Sequence, residues 1–208
     1  MKGLLITFEG IEGVGKTTQV QRAFDLLEAE HPGRVVVTRE PGGTRAGEAI
    51  REIMLQSGAA YIDGMTEMLL VFAARRQHLR ELIEPALQAG KIVLCDRFTD
   101  ATFAYQGGGR GVPEQHIERL QDMVQDGLRP HLTLLFDAPV ETGLARLRAR
   151  KDLDRMETEA VNFFRQVRAK YLELAARHPD RIHVIDANAD IETVSAAVRT
   201  ILAGHKLC

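Results

Sequence analysis

Five short runs of consecutive apolar, β-branched-rich residues punctuate the chain, at Leu4–Phe8, Val35–Thr38, Ile92–Cys95, Leu132–Phe136 and Ile182–Ile185. Runs that do not alternate with polar positions suit strands covered on both faces of a sheet. Between them apolar positions recur at three- and four-residue spacing, as at Val20, Ala23, Phe24 and Leu27. That spacing predicts helices over Gln19–Glu30, Thr44–Gln56, Met65–Ala89, Glu114–Asp126, Glu141–Arg150, Val161–His178 and Ile191–Leu202. Strands that alternate with helices lie parallel and are joined by right-handed crossovers, so the expected fold is a three-layer α/β/α sandwich around a five-stranded parallel sheet. No repeat, low-complexity tract or linker divides the pattern, and residues 1–208 read as one domain. In such sheets chemistry collects at the carboxyl ends of the strands.

The first strand runs into Gly10-Ile11-Glu12-Gly13-Val14-Gly15-Lys16-Thr17, and Thr18 opens the helix that follows. The octapeptide fits G-x-x-x-x-G-K-[ST], and its strand–loop–helix context is the one a phosphate-binding P-loop needs. Its glycines let backbone N–H groups curl around an anion, and the helix N-terminus adds partial positive charge. Lys16 would reach the β- and γ-phosphates of a nucleotide, and the Thr17 hydroxyl would ligate Mg²⁺.

Other strand ends carry polar residues too. The second leads into Arg39-Glu40-Pro41-Gly42-Gly43, a turn whose charged pair reads equally as a solvated edge. The third leads into Asp96-Arg97-Phe98, either a surface ion pair or, beside a P-loop, a magnesium-holding carboxylate and a phosphate clamp. The fourth leads into Asp137, read as the cap of a helix that Pro139 starts. Arg146, Arg148, Arg150 and Arg155 then cluster. Arg146 and Arg150 share a helix face, which suits a solvated basic surface or a lid that closes over a phosphoryl group. Thr102 to Gly111 joins Tyr105 and Gln106, an aromatic face beside an amide, to three successive glycines that imply a mobile backbone. On the long Met65–Ala89 helix, Phe72 with Arg75 and Arg76 could stack on and hydrogen-bond a nucleobase, or could be a core ring beside surface arginines.

The bulk properties narrow the classes. The 208 residues are 45% apolar and 27% charged, with a formal net charge of −2, which gives no footprint for nucleic acid or an anionic membrane. Cys95 and Cys208 form no metal or redox spacing, and Cys95 reads as a buried thiol in a reducing compartment. No apolar stretch is of membrane-spanning length, and Met1-Lys2-Gly3 leads directly into a strand, so a cytoplasmic location is expected.

Taken in order, Phe8-Glu9-Gly10, Thr38–Gly43, Phe72–Arg75, Asp96–Phe98, Ala104–Gly111, Leu153–Glu157 and Asp186-Ala187 resemble the thymidylate kinase (dTMP kinase) family, bacterial type, over nearly the whole chain. The resemblance implies a P-loop NTPase fold of nucleoside monophosphate kinase type and transfer of the γ-phosphoryl group of ATP to dTMP, with Mg²⁺. It implies that the P-loop and Arg146 hold ATP, that Thr17 and Asp96 form the magnesium site, and that Glu12 meets the 3′-hydroxyl of dTMP. Arg97 would bind the acceptor phosphate with Arg39, Glu40 and Pro41 beside it. Phe72 and Arg75 would contact thymine, while Arg51, Thr102, Tyr105 and Gln106 would line the rest of the pocket. Tyr105 would stand where a ribose 2′-hydroxyl would clash.

Phe72 lies four residues before Arg76, yet the following Gln77-His78 puts Arg75 in the family's arginine position and Val71 in its aromatic one. One branch of the family carries an arginine inside the P-loop, where this chain has Gly13. The resemblance therefore implies a catalytic arginine from a lid at about 141–157, assigned to Arg150, acting with Lys16 and Arg97. It also implies a homodimer. The nearest alternatives are a kinase for another nucleoside monophosphate and a nucleotide-dependent regulator. A GTPase would want Asn-Lys-x-Asp, which is absent.

Overall fold

The computed structural model describes residues 3–56, 62–148, 155–157 and 159–205. Five strands, β1 (Leu4–Glu9), β2 (Val35–Arg39), β3 (Ile92–Asp96), β4 (Leu132–Asp137) and β5 (Ile182–Asp186), form one sheet in the order β2-β3-β1-β4-β5 with every pair parallel. Each strand extends one residue beyond its apolar run, so Glu9, Arg39, Asp96, Asp137 and Asp186 are its last ladder positions. The sheet centre is dry on both sides, as at Leu5, Ile6, Phe8, Val93 and Leu94. That is why these runs lack alternation.

Nine α-helices carry the crossovers among the described residues. They are α1 (Lys16–Glu30), α2 (Arg45–Leu55), α3 (Gly64–His78), α4 (Glu84–Gln88), α5 (Thr99–Thr102), α6 (Glu114–Gln125), α7 (Val140–Arg148), α8 (Val161–Arg177) and α9 (Ile191–Gly204). Right-handed crossovers put α1 and α9 together on one face, with α3, α6 and α8 on the other. No helix among the described residues is long and apolar enough to cross a membrane.

Two segments differ from the sequence expectation. The predicted Met65–Ala89 helix is one rod in three parts, α3, a π-helical stretch Leu79–Ile83, and α4. Pro85 lacks the N–H that would bond the Glu81 carbonyl, and the wider π turn accommodates its ring. The glycine-rich stretch expected to be mobile is helical, as α5 and then a π-helical segment Phe103–Gly109. Its glycines serve close packing. A Cβ on Gly109 would lie 2.4 Å from the Phe163 ring, and one on Gly108 would lie 2.8 Å from Cβ of Lys170. Composition suggested flexibility because the partner helix, α8, lies some sixty residues downstream. Nor does Asp137 cap α7: it takes a two-pronged ion pair from Arg168 of α8 at 2.7 and 2.8 Å.

Candidate active site

The carboxyl ends of β1, β2 and β3 open into a cleft of about 410 Å³. Its floor at one end is the P-loop. The side chains of Thr44, Asp63 and Asp190 cap α2, α3 and α9; α1, like α6 and α8, has no side-chain cap, but its N-cap is Gly15, the last glycine of the P-loop. Its first N–H groups are left for a ligand. Lys16 lies back on the loop, its Nζ donating to the carbonyls of Gly10 and Ile11 at 3.0 and 2.9 Å. Burial, and then the nearby Arg97 guanidinium, lower its pKa to about 8. Gly13 has φ +74°, and a Cβ there would stand 2.1 Å from the carbonyl oxygen of Gly143. A Cβ on Gly143 would in turn meet the Glu12 carbonyl at 2.6 Å. The P-loop and α7 thus touch backbone to backbone.

Arg97 follows β3 in the left-handed region, φ +68°, which costs an L-residue roughly 1–2 kcal/mol. The turn aims its side chain back over the P-loop. Its guanidinium donates to Glu12 at 2.8 Å and to the Gly10 carbonyl at 3.0 Å, and stands 4.8 Å above the Tyr105 ring. The Tyr105 hydroxyl lies 2.7 Å from both oxygens of Glu12. Beneath this layer Glu9 is fully buried, accepting from the Phe98 N–H and the Tyr171 hydroxyl, each at 2.7 Å. Burial, and then Asp100, raise its carboxyl to about 7. Arg97 also donates to the Tyr171 hydroxyl at 3.3 Å, so Glu9 supports the turn from both sides. Sequence reasoning noted Glu9 only as part of a motif. Its signal was a carboxylate ending an otherwise apolar strand. Tyr171, inside α8, carried none.

The far end of the cleft is built from α3 and the Thr99–Gly109 helical stretch. Arg75 is 1% exposed. It donates to Glu40 at 2.7 Å and to the Thr102 hydroxyl at 3.0 Å, and lies between the rings of Phe72 and Phe98 at 4.8 and 5.0 Å. Its Nη1 is buried with no hydrogen-bond partner among the described residues. Arg76 points away, to the Val124 carbonyl and Glu84 at the surface. On a helix Val71 and Arg75 share the face turned to the cleft. Phe72, expected to stack on a base, is instead buried beneath Arg75 and lines none of the cleft. Arg39 also lies outside it, exposed and paired with Glu48.

Glu40, Pro41, Arg51, Thr102, Tyr105 and Gln106 do line the cleft, as do Thr17, Thr18, Asp96 and Arg146. Gly10, Ile11 and Val14 shape the loop from behind. Arg150 lies outside the described residues. Met54, Leu55, Phe98, Ala101, Met156 and Glu157 complete the walls. Phe98, Met156 and Glu157 stood in quoted motifs without an assigned role, and Met54, Leu55 and Ala101 escaped the sequence reading because apolar residues on helices look like ordinary core. Asp96 has a buried Oδ1 with no partner among the described residues, across from Lys16.

A P-loop, an uncapped α1 and facing cations at the switch of a 2-3-1-4-5 parallel sheet define a P-loop phosphotransferase of the nucleoside monophosphate kinase fold. The family model for thymidylate kinase matches residues 8–198, and the chain belongs to that family. It is 53% identical over 207 residues to the thymidylate kinase of Methylococcus capsulatus (strain Bath), covering 98% of both chains. It is 52% identical to that of Pseudomonas putida (strain GB-1), covering 98% of this chain and 97% of the other. The crystal structure of thymidylate kinase from Ehrlichia chaffeensis superposes with a TM-score of 0.81 at 33% identity, covering 97% of this chain and all of that one.

Proposed function

We propose that the protein transfers the γ-phosphoryl group of ATP to dTMP, giving dTDP and ADP. The observation that carries this reading is a single cleft holding an open phosphate loop at one end and a buried, partly unpartnered arginine at the other. A buried guanidinium N–H left without an acceptor is costly, and a base carbonyl would satisfy it. Arg75 is therefore the base reader, with Gln106 beside it and Val71 and Phe98 supplying the apolar walls. Glu12 retains lone pairs for the nucleoside 3′-hydroxyl beyond those used by Arg97 and Tyr105. Arg97 meets the acceptor phosphate, and Lys16 leaves the loop carbonyls for the β- and γ-phosphates.

Phosphoryl transfer asks little covalent work of a protein, so placement and charge do most of it. The orphaned Asp96 Oδ1, with the Thr17 hydroxyl on the same cleft wall, fits a divalent ion. Bound Mg²⁺ would screen the phosphate charges. Gly13 has no room for a side chain, so an arginine for the transferring group comes from elsewhere, and we assign Arg150 on the resemblance.

An ADP-release assay with ATP, Mg²⁺ and dTMP, dUMP, dCMP, dGMP or dAMP tests the reading. Turnover is expected to be fastest with dTMP; preference for another base would overturn the pocket assignment. Arg75→Met should raise KM for dTMP by about a hundredfold, the order expected when a buried polar contact to substrate is lost. Arg76→Met should leave it within about twofold, as a surface change. The opposite ranking would move base reading to Arg76.

We also propose an isologous homodimer through the adjoining helices α2, α3 and α6. Four apolar side chains stand exposed there: Ile53, Met65, Leu69 and Met123. Sedimentation should give a dimer that Leu69→Glu dissociates, and a monomeric native protein would refute it.

A further inference from the structure

Glu67, in the first turn of α3, takes no part in the chemistry above, yet it is fully buried and three side chains converge on it. Gln106 donates to it at 3.2 Å from the base end of the cleft. Arg110, at the end of the Phe103–Gly109 helix, donates from Nε at 3.1 Å. Arg155 donates from its guanidinium at 2.6 Å. The same Arg155 is tied twice to the end of α2, through Nε to the Met54 carbonyl at 2.8 Å and through its backbone N–H to the Leu55 carbonyl at 3.1 Å. Arg110 goes on to Glu159 at 2.5 Å and covers the Phe163 ring. Two carboxylates and two guanidiniums thus balance in charge within a largely dry cluster. Met156 and Glu157, next along the chain, line the cleft.

We propose that Glu67 is a positioning residue for the reaction. Its carboxylate, with the end of α2, fixes Arg155, and so sets the cleft wall made by Met156 and Glu157. Through Gln106 it ties that wall to the base pocket. A buried carboxylate used only for stability would be an expensive choice, since an apolar replacement is often as stable. What it provides here is a fixed distance between an element that contacts the nucleoside and the end of the arginine-rich 141–157 segment. The inference rests on the phosphoryl-transfer reading.

The test compares wild type, Glu67→Gln, Arg155→Gln and the double variant in kcat, KM for dTMP and ATP, and Tm. Glu67→Gln is expected to lower kcat by about ten- to a hundredfold, the scale of a misplaced active-site wall, with a smaller change in either KM. Because both residues hold the same wall and share a direct contact, their effects should fall well short of multiplying in the double variant. Unchanged kcat in folded Glu67→Gln, or effects that multiply in the double variant, would overturn the proposal. If Glu67→Gln does not fold, Arg155→Gln decides, since its guanidinium sits nearer solvent: full kcat there also overturns it. Wild type inactive on dTMP would count against the activity instead. Amide exchange at Arg155–Glu157, expected to quicken in Glu67→Gln, would then decide the positioning role by itself.

Discussion

Arg97→Gly is expected to cost about three orders of magnitude in kcat/KM while lowering Tm by only about a few degrees. The two halves have separate causes. Arg97 pays for a left-handed backbone that glycine adopts freely, so the substitution releases roughly 1–2 kcal/mol of strain. Against this, the protein loses the ion pair to Glu12, which keeps the Tyr105 hydroxyl, hydrogen bonds to the Gly10 carbonyl and the Tyr171 hydroxyl, and one stacking contact on the Tyr105 ring. The relief of strain offsets part of that loss. Catalysis has no such compensation, because no other described cation stands over the P-loop from the β3 side. Arg97→Lys should fall between, keeping charge without the planar fork. Arg150→Ala supplies the contrast: kcat should fall far more than dTMP affinity does. Steady-state kinetics beside calorimetric Tm values check the set. A glycine variant within tenfold of wild type would remove Arg97 from the phosphate site, and unchanged kcat in Arg150→Ala would remove the lid assignment.

Lys16→Met should lower kcat by two to three orders of magnitude, as loss of a charge-stabilising donor does. It should also abolish a proton-linked effect. With its pKa depressed from 10.5 to about 8, Lys16 disfavours its own charge in the ligand-free fold. Its contribution to stability is therefore present above pH 10.5 and lost as pH falls through 8, a swing of about 3 kcal/mol. A polyphosphate restores the preference for the ammonium. Nucleotide binding at pH 8 should then take up about half a proton, visible in titration calorimetry run in buffers of different ionisation enthalpy. Buffer-independent binding heat in the native protein would show that Lys16 is already fully charged. Glu9 titrates lower, near 7, and its window does not overlap the upper part of this one.

Much of this was legible from residue order alone. Strand positions followed from unbroken apolar runs, and each fell one residue short because the last ladder position of every strand is polar. Lys16, Thr17, Asp96 and Arg97 could be picked out because they sit at those ends. Phe72 and Arg75 were harder: spacing gave two registers, and only packing showed that the ring lies under the guanidinium and the valine faces the cleft. Arg39 looked like a partner for phosphate, but its strand is at the sheet edge and Glu48 lies within reach. The Glu67 cluster joins positions 67, 106, 110 and 155, and no local pattern announces a meeting of that kind.

The glycines of the Phe103–Gly109 helix carry a lesson about reading mutational data. Gly108 and Gly109 have α8 against them at less than the normal separation for a side chain, and α8 also bears Phe163 and Tyr171. In a saturation library, positions 108 and 109 would therefore score among the least forgiving in the gene. Selection would rank them with Lys16 and Arg97, although neither glycine need touch a nucleotide. Purified variants would tell the two kinds apart. Alanine at Gly109 should diminish the yield of folded protein, with activity per folded molecule closer to normal, whereas methionine at Lys16 should do the reverse.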